Sequence, residues 1–131
     1  MDVKKLLPKN KFDDSNIDKL YELTDEEIKP IIYDLLEWLQ DYNWPIAPQI
    51  EKVLILRENL VFPYISTILS GNDVMWKCWI MLYLIPNFSE EHKQFLKKDI
   101  LKFINDSKTD EDTEALRESA IECYEVCFKN N

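Results

Sequence analysis

One glycine and one histidine in 131 residues set the first limits on this chain. A fold of tight β-hairpins needs residues that accept positive φ at its turns, and a single Gly71 cannot supply them. The same scarcity removes phosphate loops of the GxxxxGK or GxGxxG kind. His92 has no serine or cysteine at a spacing that would suggest a triad. With Cys123 and Cys127 it would still leave a structural zinc short of four ligands. Cys78, Cys123 and Cys127 are an odd set in a chain with ample apolar residues, which points to reduced thiols and away from a disulfide framework.

Long hydrophobic runs are missing as well. The longest, VMWKCWIMLYLI from Val74 to Ile85, falls short of the roughly 20 residues that a spanning helix requires, and it contains Lys77. The opening MDVKKLLPKNKF carries positive charge but no apolar stretch of secretory length. Basic charge is in deficit: 16 Lys and Arg against 25 Asp and Glu leave a net charge of -9. Such a balance opposes binding to a phosphate backbone, which needs clustered cations to release counterions. The expectation is a cytoplasmic protein with no membrane, nucleic-acid or cofactor partner.

What is present reads as helix. Ile17, Leu20 and Tyr21 share a face of a short peripheral helix from Asp14 to Leu23. Thr24 and Glu27 make a capping-box pattern, with Pro30 resetting the chain before a firm helix from about Pro30 to Tyr42. That helix turns Ile31, Leu35, Trp38 and Tyr42 to one side, beside Ile32, Leu36 and Leu39, and Asp34, Glu37 and Asp41 to the other. At the reversal that follows, Asn43 suits a cap and Pro45 a first helical position. The next helix turns Ile46, Ile50, Val53 and Leu54 inward and ends near Arg57.

A helix from about Leu60 to Ser70, with Pro63 near its start, is expected to close on Gly71 in a left-handed cap. Asp73 caps Val74 to Ile85, which is apolar almost all round and therefore expected at the centre of the helical assembly. Pro86 ends it, and Ser89 caps a helix whose inner face is Phe95, Leu96, Ile100, Phe103 and Ile104. In the last helix Leu116, Ala120, Cys123 and Cys127 form a narrow stripe of mostly small residues. Three successive helix pairs result, Pro30 to Arg57, Leu60 to Ile85 and Glu90 to Lys129, which is the plan of an α-solenoid. A compact bundle would show nearly the same periodicity.

Two tryptophan segments stand out, EWLQDYNWPIA from Glu37 to Ala47 and NDVMWKCWI from Asn72 to Ile80. Together they resemble an uncharacterised family of bacterial HEAT-like all-α proteins that carry a WLQDxNWP segment and a later WKxW segment. The resemblance covers roughly Leu23 to Ser89. It implies a curved helical-repeat fold and carries over no activity or catalytic residue, the family being a domain of unknown function. The expected fold is thus a single all-α, HEAT-like superhelix over residues 1–131, with about three helix pairs and a short N-terminal helix.

Six residues are the candidate binding positions: Trp38, Asp41, Trp44, Trp76, Lys77 and Trp79. Trp44 precedes a proline and is pushed towards extended backbone, so its ring can lie back over the end of the preceding helix as corner packing. In the alternative, Asp41 and Trp44 rim a pocket. Lys77 interrupts a buried helix and is expected to pair with Asp73 or Asp41, or else to lay its stem on apolar surface. Asp34, Glu37 and Asp41 make an ordinary outward face, with no second carboxylate environment to support acid–base chemistry.

The charge is uneven, two acidic stretches from Asp13 to Asp41 and from Asn105 to Asn131 flanking a near-balanced middle, and an acidic surface attracts basic partners. The leading functional expectation is a non-enzymatic protein-binding module, monomeric or weakly dimeric, with an immunity-like role towards a basic toxin as one specific form. The alternative is a small-molecule or enzymatic cleft lined by the four tryptophans.

Overall fold

Capping chemistry decides where four of the eight α-helices over residues 2–129 begin. In the computed structural model, which describes residues 2–129, Thr24 and Glu27 form the reciprocal box: Thr24 Oγ1 accepts from the Glu27 N–H at 3.2 Å and Glu27 Oε1 from the Thr24 N–H at 2.9 Å. Asp73, Ser89 and Asp110 each accept from the backbone N–H three residues on, that of Trp76, His92 and Thr113, satisfying donors that a first turn leaves unpaired. Among the described residues every regular element is helical.

The chain divides into two compact units, Met1–Tyr64 and Ile65–Asn131. The first holds α1 (Ile17–Glu22), α2 (Asp25–Ile28), α3 (Ile32–Glu37) and α4 (Ala47–Ile55). Pro30 sits in a 3-10 turn over Lys29–Ile31 that joins α2 to α3, a place where its missing N–H costs little. Ile31, Ile32, Leu35 and Leu36 are fully buried, as are Ile50 and Leu54 on α4, and α3 and α4 pack on each other. Helix α5 (Glu58–Leu69) runs through the division. The second unit is built on α6 (Val74–Trp79), α7 (Glu90–Ile104) and α8 (Glu111–Phe128), with α8 packed against both α6 and α7.

Several sequence expectations need correction. The helix expected to reach Tyr42 stops at Glu37, where tighter bonds from the Trp38, Leu39 and Gln40 N–H groups to carbonyls three residues back close it off. Asp41 then competes for the backbone by accepting from the Asn43 N–H at 2.9 Å, a local turn that a continuing helix cannot share. Helix α4 starts at Ala47 with Pro48 in its first turn, so Pro45 lies in the turn before it. Helix α5 starts at Glu58, which places Pro63 inside it.

Gly71 does not take a left-handed conformation. Its small size is used instead: an added Cβ would stand 3.3 Å from the Ile68 carbonyl oxygen. The run from Val74 does not end at Ile85. It passes through a π-helical turn, Ile80–Leu84, and a 3-10 turn, Ile85–Asn87, that contains Pro86. Trp76, Cys78, Ile80, Met81, Leu84 and Ile85 of this run are buried, and the run packs against α8. Phe95, expected on the inner face of α7, is 66% exposed, whereas Leu96 and Ile100 are buried.

Candidate functional site

Two 3-10-like turns build the reversal between α3 and α4. The Trp44 N–H donates to the Asp41 carbonyl at 3.1 Å, and the Ala47 N–H to the Trp44 carbonyl at 2.9 Å. The Ile46 N–H reaches outside the reversal to the Lys11 carbonyl at 3.0 Å, which ties the N-terminal segment to this corner. That segment is itself knit by Asp13, whose carboxylate accepts from the Ser15 hydroxyl and from the Lys9 and Ser15 N–H groups. These bonds, the Ser15 hydroxyl first, hold the Asp13 carboxyl below its usual range.

Trp38 and Trp44 meet edge to face, with ring centroids 5.6 Å apart and planes at 68°. Both are half-buried. With Leu7, Pro8, Asp34, Glu37 and Gln40 they line an open depression of about 340 Å³. Asp41 is half-buried and serves the turn through Asn43. The rings therefore pack on one another and also wall a concavity, and Leu7 and Pro8 on its lining come from the N-terminal segment, which in the sequence stands out for its basic charge and not for a site.

Sequence reasoning missed Glu51. It is 9% exposed on α4, and its Oε2 has no hydrogen-bond partner. Burial pushes its carboxyl up from the ordinary range, opposed in part by a hydrogen bond with Tyr42. A signal existed: Ala47, Glu51 and Leu54 are spaced four and three apart, the period of the buried face. Tyr42, at the reversal, thus reaches α4 through a polar contact.

In the second unit Trp76 is buried and Trp79 stacks on Tyr83 at 5.7 Å with planes at 27°. Lys77 is half-buried, and its ammonium lies 5.5 Å from the Phe103 ring centroid, a cation–π contact between α6 and α7. The expected carboxylate does not meet it: Asp73 accepts from the Trp76 N–H as the cap of α6. Trp38, Asp41 and Trp44 belong to the first unit and Trp76, Lys77 and Trp79 to the second, so the six candidates divide evenly between the two.

Cys123 and Cys127 lie on the buried stripe of α8 with their sulfurs 3.9 Å apart. The shared hydrogen bond and then burial raise the Cys123 thiol, while the same bond lowers Cys127, so Cys127 is the first of the pair to lose a proton. Burial also raises Cys78, whose thiol donates to the Ala115 carbonyl at 3.7 Å. Raised, enclosed thiols are inert towards electrophiles. Glu111, Asp112, Glu114, Glu118, Glu122 and Glu125 are distributed along the same helix, with Ile121 and Val126 exposed among them.

Among the described residues the chain is all-helical, and none of its helices is long and apolar enough to cross a membrane. It belongs to the family described as Domain of unknown function (DUF5071), which matches residues 6–124. No curated protein matches it. The match begins at Leu6, so the stretch with Leu7 and Pro8 falls inside the family's extent.

Proposed function

We propose that this chain is a non-enzymatic protein-binding module whose acidic surface engages a basic protein. The observation that carries the reading is the outer face of α8, where carboxylates run the length of an 18-residue helix beside exposed Ile121 and Val126. Of these carboxylates Glu125 is in an ion pair with a described residue, Lys129 at 3.9 Å. A face of this kind attracts cationic partners from a distance and offers apolar contact on arrival. Packing of sequence neighbours, α3 on α4 and α7 on α8, supports a HEAT-like helical repeat, a plan that suits binding surfaces. Reduced thiols fit a cytoplasmic setting. An immunity-like role, covering a basic toxin, is one specific form of this function.

The test is capture from native lysate by the wild-type chain and by a variant with Glu114→Lys, Glu118→Lys and Glu122→Lys. Basic proteins should be retained by the first, lost by the second and released as salt rises. Equal capture by both variants, independent of salt, would remove the reading. A second reading is a small-molecule site, favoured by the depression at Trp38 and Trp44. A metabolite that raises the melting temperature while no protein is captured would reverse the order.

A further inference from the structure

We infer that the depression at Trp38 and Trp44 is a guanidinium site, which receives an arginine side chain of the basic protein partner. The inference rests on the protein-binding reading above and specifies where one cation would go. Two indoles at 68° form adjoining walls, and both rings remain partly open to the concavity. An indole face attracts cations through its quadrupole, more strongly than Tyr or Phe. Asp34 and Glu37 stand on the lining, and no described lysine or arginine pairs with either. The nearby Lys11 ammonium is held over Phe12, 5.3 Å from the ring centroid.

The lining also selects among cations. A guanidinium is planar, stacks on an aromatic face and presents five N–H donors in a fork, which two carboxylates and the Gln40 side-chain oxygen can accept. A quaternary ammonium would satisfy the rings but leave those acceptors without a donor. An ammonium can donate but cannot stack as a plate. The volume of about 340 Å³ admits one such side chain with water around it and is small for a folded segment.

The experiment follows the four indole N–H signals by two-dimensional NMR while N-acetyl-argininamide, its neutral citrulline counterpart and choline are titrated in turn. The arginine compound should move the Trp38 and Trp44 signals saturably, with the citrulline compound and choline each weaker by roughly tenfold. The double variant Asp34→Asn and Glu37→Gln, whose changes lie on the rim and leave the rings in place, should lose a similar factor with an unchanged melting temperature. Citrulline binding as well as arginine, choline binding more tightly, or no response of these two indoles would each overturn the site. A nine-arginine peptide separates this from the broader reading. If it shifts signals of α8 but not the two indoles, the site fails and the acidic-surface reading stands; if it shifts neither, both fail.

Discussion

The first unit and the second each carry two tryptophans, and of the four Trp76 alone is buried in the core. Trp38 and Trp44 sit where helix gives way to turn, so their rings meet across the reversal and stay partly open. Trp76 and Trp79 sit inside a helix three residues apart, and Trp76 goes into the core while Trp79 stacks on Tyr83 one turn further along. The same residue type is thus wall at the reversal, core filling at Trp76 and half-buried at Trp79. A reversal with Pro45 leaves both of its aromatic rings partly uncovered, whereas the helix turns one of its two fully inward.

The largest expected effect tests that contrast directly. Trp76→Ala should cost about 3–5 kcal/mol in urea denaturation, the range for emptying a buried aromatic site. Trp44→Ala should cost clearly less, about 1–2 kcal/mol, because part of its surface is already in water. Equal losses would make the corner core and close the depression as a site.

The chain's only two arginines sharpen the comparison. Arg57 donates to the Tyr21 and Leu23 carbonyls and pairs with Asp25 at 2.8 Å, with its side chain only 11% exposed. Arg117 donates to the Asp106 and Lys108 carbonyls, and no described carboxylate pairs with it. Arg57→Ala and Arg117→Ala should each cost about 1–3 kcal/mol, the first slightly more, since both strand carbonyls and only the first also breaks an ion pair, which the exposed Asp25 carboxylate keeps weak.

Glu51→Gln should act in the other direction. A carboxyl whose folded pKa lies above its unfolded one stabilises the fold, relative to the ionised form, at low pH, and that contribution is lost as pH rises through the folded pKa. Glutamine keeps an acceptor for Tyr42 and never ionises. Its melting temperature should exceed the wild type's by a few degrees at pH 8 and by much less at pH 4. A constant difference across that range would mean that Glu51 does not change its charge cost on folding. Smallest is Gly71→Ala, expected within about 0.5 kcal/mol of neutral, because the entropy gained by losing glycine offsets a 3.3 Å contact with the Ile68 carbonyl. A left-handed cap would instead make it clearly destabilising.

Much of the helical order was legible because capping and periodicity are local. Thr24 with Glu27, Asp73, Ser89 and the stripe ending in Cys127 announce themselves within four residues, and the helices obey them. The depression was not legible, since Leu7 and Pro8 approach Trp38 and Trp44 only through tertiary contact, fixed by the Ile46 N–H on the Lys11 carbonyl. Phe95 misleads because periodicity finds an apolar position without saying how much of it the fold covers, and this ring stays 66% exposed. Lys77 misleads because Phe103 can serve in place of a carboxylate.

The π-helical turn at Ile80–Leu84 has a consequence for phase. Such a turn holds one residue more than an α-turn, so everything after it is rotated by about 100° relative to an uninterrupted helix. Ile85, the first residue after the turn, is fully buried in that rotated frame. Excising a single residue from the turn would give a smoother helix and swing that side chain off the interior, so a shortening that looks harmless on paper would uncover a core position.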